Sequence, residues 1–301
     1  MKRFSTGLIV SLVALSAFAQ SGKENNTLLW KISGNGIEKP SYLFGTVHMI
    51  CKEDAYLSNN LIAAIEKTDR VYLELDMDNL FEMVGAMMKM KMNNDTTLAD
   101  LLTPDQYQRT KEYFEKKNSL LPFSVLETYK PLVASSLLME SSADCDQQVA
   151  MEQLVMEEAK KNGKRIDGLE TMAYQMSIFD SIPYKVQAQE LFKSISSDDK
   201  ESDGGKEYKE LINAYKDQDL KKLGEMISKS DQGVMQYEDL LLNNRNRNWV
   251  IKLKTLLKDK ALVIAVGAGH LPGEKGLIEL LRKEGYTVSP VENKIRTIKE
   301  I

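Results

Sequence analysis

The sequence predicts an α/β fold, a largely parallel central sheet flanked by helices, with a large helical insertion in the middle of the chain. Three observations predict it. Strand-like apolar runs alternate with helix-period stretches at both ends of the 301-residue chain. The run Ala261 to Val266 is apolar throughout, as a strand covered on both faces should be. Between about residues 78 and 260 the pattern is mostly helical.

Taken in order, Thr27 to Ser33 alternates like a strand, Gly34-Asn35-Gly36 can turn the chain, and Ser41 to Val47 returns. Leu57, Leu61, Ile62 and Ile65 recur at helical spacing, predicting a helix over Ala55 to Lys67. Val71 to Asp76 is the next strand; alternation sets Tyr72, Glu74 and Asp76 on one face and Val71, Leu73 and Leu75 on the other. Leu80 to Met92 is methionine-rich, and its stripe Met83, Met87, Met88, Met90 and Met92 suits adaptable core. Thr97 to Asp100 and Thr103-Pro104-Asp105 look like helix starts, the second with proline at the first helical position. Helices follow over Pro131 to Met139 and Val149 to Lys160, then a short strand over Lys164 to Glu170. Ser194 to Lys206 is polar and reads as a solvated loop. Asp239 to Leu257 is a long helix. The last unit is the strand Ala261 to Val266, a helix over Lys275 to Lys283 capped by Gly285, and a strand over Tyr286 to Val291.

With 43% hydrophobic and 28% charged residues, the composition is that of an ordinary globular domain. A net charge of −4 and no basic stripe exclude nucleic acid as a partner. Lys2 and Arg3 precede the apolar run Leu8 to Leu15 and then Ala17-Phe18-Ala19, which is the make-up of a cleavable signal peptide over residues 1–19. The run is too short to span a bilayer comfortably, so a retained anchor is the weaker alternative. No cysteine follows it to take a lipid. The expectation is an exported protein, periplasmic or secreted, with one domain over 20–301 and no stable membrane span after cleavage. Export makes a disulfide between the only two cysteines, Cys51 and Cys145, a natural expectation. Cys51 as a metal ligand is the weaker reading, because it has no C-x-x-C partner.

Only two histidines occur, both in one frame: Gly45-Thr46-Val47-His48 and Gly267-Ala268-Gly269-His270. Each frame ends a strand. Ligands of open α/β sheets bind at the carboxyl ends of strands, so His48, Glu74, Glu170 and His270 can converge on one site. Histidine is the commonest metal ligand and the usual base near neutral pH. Glycine three places earlier suits either close backbone approach or a positive φ. Glu74 sits among leucines, where a carboxylate must be paired, coordinated or protonated. Its structural reading is the partner of an arginine. Two histidines and a carboxylate make the ligand set of many hydrolytic metal sites. Asp76 faces the same way and can stand behind them. Arg245-Asn246-Arg247-Asn248-Trp249 is either a solvated helix face or brings an arginine into the site to stabilise negative charge.

Five pieces in order resemble the TraB/GumN family, which includes the Tiki metalloproteases of animals. They are Ser41 to His48, Tyr72 to Asp76, Gly168 to Thr171 with Gln175, Arg245-Asn246 with Trp249, and Gly267 to Gly273 with Gly276. The resemblance implies an α/β fold shared with erythromycin-esterase-like and haem-binding ChaN-like proteins, and metal-dependent peptide hydrolysis with manganese or cobalt. Carried over by position, it implies His48, Glu74 and His270 as the metal site or catalytic core. Arg245 and Glu170 become polar supports, with Gln175 and Asn246 beside them. The cysteine pair is not among these motifs.

The expected function is an exported metal-dependent hydrolase acting on peptide or protein. Mn²⁺, Co²⁺ and Zn²⁺ all suit imidazole and carboxylate. Glu74 is a ligand or the general base, and Arg245 steadies the oxyanion. Two alternatives stand beside it: a metal-free esterase-like hydrolase with a histidine base, and a periplasmic peptide or haem binder without catalysis. Oligomeric state is left open.

Overall fold

The structure, a computed structural model, describes residues 26–76, 85, 89–116, 121–139, 145, 147–196, 203–228 and 233–294. The signal-peptide expectation and most of the methionine-rich stretch lie outside the described residues.

Six strands form the main sheet in the order β6-β4-β7-β2-β1-β8: β1 (Leu29–Gly34), β2 (Ser41–Thr46), β4 (Arg70–Leu75), β6 (Arg165–Glu170), β7 (Leu262–Gly267) and β8 (Tyr286–Val291). Four neighbouring strands, β6, β4, β7 and β2, run parallel, while β1 pairs antiparallel with β2 and β8. A separate two-stranded ladder joins β3 (Ile50–Cys51) to β5 (Gln148–Val149). The central strand β7 is apolar because helices cover both its faces; Leu262 through Val266 are fully buried, each such aliphatic contributing about 1.5–3 kcal/mol over exposure.

Helix α1 (Asn59–Lys67) starts four residues later than the apolar spacing predicts. Ser58 decides the boundary, its hydroxyl accepting from the Leu61 N–H at 3.1 Å, which satisfies an otherwise orphaned donor. Short helices α2 (Leu98–Leu101), α3 (Pro104–Lys116), α4 (Phe123–Leu126) and α5 (Pro131–Met139) follow. Thr97 N–H donates to Asp100 at 2.8 Å at the start of α2, as the sequence suggests. Next come α6 (Met151–Lys161), α7 (Met172–Asp180), α8 (Tyr184–Ser196), α9 (Asp203–Lys216) and α10 (Leu220–Ser228). The solvated loop expected over Ser194 to Lys206 is shortened from both sides by α8 and α9. The final helices are α11 (Asn244–Asp259), entered through a π turn at Asp239–Asn243, and α12 (Leu277–Lys283).

The helical middle divides between two cores. Leu98, Phe114, Phe123, Leu126, Ala134 and Leu191 build a cluster of their own. Strand β6 and helix α6, from the same stretch of chain, belong to the main core instead. Of the methionines, Met92 is buried and Met90 packs on a small cluster of Tyr129, Val133 and Met176, so these two are core.

Candidate functional site

The parallel register brings the ends of β6, β4, β7 and β2 to one edge, and the candidate residues with them. Gly45 pairs with Val266 and Thr46 with Gly267, so the two Gly-x-x-His frames lie side by side. Gly45 and Gly267 both have ordinary negative φ; close approach is what they serve. A Cβ on Gly45 would stand 3.2 Å from Ala268 Cα, and one on Gly267 would stand 3.2 Å from Glu74 Oε1.

Arg245 is the hub. Nη2 donates to Glu74 Oε2 and to Glu170 Oε1, each at 2.6 Å, and Nε donates to Glu170 at 3.0 Å. Nη1 donates to the Leu241 carbonyl at 2.9 Å and meets His270 Nε2 at 3.2 Å. All five N–H groups of the guanidinium are engaged. Helix α11 presents Arg245, Trp249 and Lys252 on one stripe at i, i+4 and i+7. Trp249 Nε1 donates to Glu170 Oε2 at 3.0 Å, its ring lies 4.5 Å from the His270 ring, and Lys252 donates to the Gly168 carbonyl at 2.8 Å.

His270 is 4% exposed. Asn246 Nδ2 donates to the Lys275 carbonyl at 2.9 Å, which turns Oδ1 toward His270 Nδ1 at 2.6 Å. Nδ1 therefore carries the proton and donates, leaving the Nε2 lone pair facing Arg245. Burial lowers the imidazole to a pKa of about 4, against the pull of Glu74, so His270 is neutral at neutral pH.

Glu74 is largely buried, its side chain 13% exposed. Desolvation alone would raise its pKa, but the charges of His270 and Arg245 and the Gly267 N–H, 2.8 Å from Oε1, hold it down to about 2. With His270 neutral, the guanidinium and the backbone N–H do this work. Glu170 shares the same guanidinium and shifts the other way: burial raises its pKa, and Glu74 adds to the rise. Gln175 Nε2 reaches Glu170 only at 3.5 Å, and Asp76 follows directly on β4.

His48 differs from His270. Its side chain is 68% exposed, and Nδ1 donates to Glu152 Oε1 at 3.0 Å. That bond outweighs desolvation and raises the imidazole to a pKa of about 9, with Glu74 adding to the pull. Thr46, two residues before His48, pairs with Gly267, whose N–H holds Glu74, so His48 follows a strand end beside the cluster. Glu152 also accepts from Thr46 at 2.7 Å, while its other oxygen, Oε2, is buried without a hydrogen-bond partner. Sequence reasoning does not single out Glu152: it stands in the first turn of α6, where an acidic residue ordinarily serves the helix dipole. Tyr215 is likewise missed; its buried hydroxyl donates to the Gly45 carbonyl at 3.1 Å.

The expected disulfide is present, Cys51 bonded to Cys145 across 94 residues.

Two imidazoles and a carboxylate are a donor set whose chemistry suits a divalent cation. Each imidazole has Nδ1 on a hydrogen-bond partner, which would leave Nε2 to ligate, in His48 only once a cation displaces its second proton. Arg245 stands between two of the donors, hydrogen-bonded to Glu74 Oε2 and His270 Nε2. Among the described residues no three His, Cys, Asp or Glu groups form a ready cage.

The fold and the site thus define a mixed α/β protein with a buried charge network at the carboxyl ends of its parallel strands. The model of the TraB/PrgY/gumN family matches residues 28–290, and the chain belongs to that family. It is 23% identical to Metalloprotease TIKI1 of Danio rerio, over 87% of this chain and 63% of the relative. It is 22% identical to Metalloprotease TIKI1 of Homo sapiens, over 88% and 62% respectively. The Metalloprotease TIKI homolog of Nematostella vectensis is 22% identical over 90% of this chain and 68% of the relative. The chain spans a little under two thirds of the length of the fish and human proteins. No solved structure matches.

Proposed function

We propose that this protein is an exported metal-dependent hydrolase of peptides or proteins, with His48, Glu74 and His270 as the groups that would hold the cation. The observation that carries the reading is the anchoring of both imidazoles through Nδ1, by Glu152 and by Asn246, at the strand ends that also carry the ionised Glu74. The name metalloprotease, borne by the relatives, supports the reaction class. Imidazole and carboxylate accept Mn²⁺, Co²⁺ or Zn²⁺, and the family resemblance favours the first two. When bound, such a cation supplies a water of lowered pKa and polarises a carbonyl.

The chain's own residues do the rest. Asn246 fixes the tautomer of His270, Glu152 aims His48, and Gly267 N–H with Arg245 keeps Glu74 ionised. Glu170 and Trp249 hold Arg245 in place. Arg245 has no spare donor in this arrangement, so steadying an oxyanion would require it to release one of its five bonds. Glu74 serves as ligand or as general base.

Export is supported by Lys2, Arg3, the apolar run and Ala17-Phe18-Ala19. The disulfide supports it too, since such bonds persist in oxidising compartments. No helix of the described residues is long and apolar enough to cross a membrane.

The test is metal content and turnover on a peptide library, before and after chelation, with Mn²⁺, Co²⁺ or Zn²⁺ added back. Activity should vanish and return, and His48→Ala and His270→Ala should each lose metal and turnover. Activity retained in either variant would sink the reading. A metal-free esterase-like hydrolase draws on one observation, that Arg245 already satisfies Glu74 and His270; turnover on esters indifferent to chelator would select it.

A further inference from the structure

The two histidines are held by different means. His270 is fixed by packing, between Trp249, Asn246 and Arg245. His48 lies on the short connection between β2 and β3 with most of its side chain in solvent, and its described anchor is Glu152. Glu152 belongs to a different part of the chain. The helix that carries Glu152 is docked in the main core, and Glu152 accepts from Thr46, before His48. Beyond His48 the two parts are joined by the ladder of β3 and β5, in which Ile50 pairs with Val149 and Cys51 with Gln148. Backbone bonds at its ends, Lys52 N–H to Gln147 carbonyl at 3.0 Å and Met151 N–H to Val47 carbonyl at 3.3 Å, add little length. Two-residue strands do not sustain themselves. The disulfide closes on this same ladder: Cys51 stands three residues after His48, and Cys145 seven before Glu152.

We infer that the Cys51–Cys145 disulfide is a positioning element of the site, clamping the His48 loop against the segment that carries Glu152. Its functional meaning rests on the hydrolase reading; its geometric content does not. With the bond intact, His48 keeps Nδ1 on Glu152 and presents Nε2. With the bond opened to two thiols, the ladder frays and His48 loses its fixed direction, while His270 is untouched. The neutral amide of Glu152→Gln should weaken the same anchor with the disulfide in place.

The experiment uses the mature protein, in which each imidazole signal in a long-range proton–nitrogen NMR spectrum belongs to one of two histidines. Spectra are recorded before and after reduction with dithiothreitol, which leaves two cysteine thiols and the cyclic oxidised reagent. They are recorded also on Cys51→Ala/Cys145→Ala and on Gln147→Ala. Reduction and the double substitution are expected to shift and broaden the His48 signals, leave those of His270 in place, and weaken Mn²⁺ binding at least tenfold. Gln147→Ala removes the side-chain partner of Lys52 but keeps the disulfide, and should leave His48 unchanged. An unmoved His48 signal in the reduced protein overturns the inference, as does a shift of equal size in Gln147→Ala. Loss of far-ultraviolet dichroism on reduction makes the bond a plain stability element and also overturns it. If neither redox form binds Mn²⁺, Co²⁺ or Zn²⁺, the metal-dependent hydrolase reading fails while the His48 signal still decides the clamp.

Discussion

Asn246 Oδ1 stands 2.6 Å from His270 Nδ1, and the same amide donates to the carbonyl of Lys275. The amide cannot flip without setting two donors against each other, so the imidazole has one tautomer. Asn246→Ala should therefore weaken cation binding by about 10- to 100-fold with the fold retained. Titration calorimetry with Mn²⁺ reads this directly, and an unchanged affinity would remove Asn246 from the site.

Arg245 neutralises two largely buried carboxylates. Arg245→Met leaves Glu74 and Glu170 facing each other without a cation, which should cost the metal-free protein about 3–5 kcal/mol in urea unfolding. A loss below about 1 kcal/mol would mean that water reaches the carboxylates and solvates them as well as the guanidinium does.

Two glycines test the packing of the frames. Gly45→Ala places a methyl 3.1 Å from the Leu271 side chain and 3.2 Å from Ala268, an overpacking worth about 1–3 kcal/mol. Gly168→Ala places one 2.6 Å from Asp76 N and 2.8 Å from Glu170 O. Both obstacles are backbone, so this variant should be the more damaged, and thermal melts of the pair should rank them in that order.

Acid and alkali should act through different histidines. The folded pKa of His270 is depressed to about 4 from 6.5, so its contribution is full above 6.5 and lost as pH falls toward 4. Glu74, depressed to about 2 from 4.5, adds a second acid loss below 4.5. His48 is raised to about 9 from 6.5; its contribution is full below 6.5 and lost as pH rises through 9. This alkaline slope should be the shallower, because His48 is largely exposed and solvent screens its pair with Glu152. Melting temperatures of the metal-free protein should peak near pH 6.5, and His48→Ala should flatten the alkaline limb alone. A loss of the acid limb in that variant would contradict the assignment.

How far these features were legible in the sequence depends on whether their cause is local. β1, β2, β4, β6, β7 and β8 were readable because alternation and apolar runs are local signals. The paired frames pointed to His48 and His270, and the apolar setting of Glu74 required a partner. Which partner it takes was not readable, since Arg245 lies 171 residues away and only the fold brings it there. Glu152 carries no signature that separates it from any acidic first-turn residue. The ladder of β3 and β5 is two residues long on each side, too short for a period to show. The start of α1 was misjudged because Leu57 keeps helical spacing beyond the Ser58 cap.

The order of the sheet bears on how the chain must fold. β7 pairs with β2 on one side and β4 on the other, Val263 facing both Tyr42 and Val71. Until residues 262–267 have been synthesised, β2 and β4 share no neighbour and the sheet stays in two pieces. Long-range parallel pairing of this kind is slow to form, so the nascent chain carries an open sheet for most of its synthesis. Under the proposed export such a delay would keep the chain competent for translocation, because the strand that joins the two pieces, β7, is made late, with only β8 after it among the described strands.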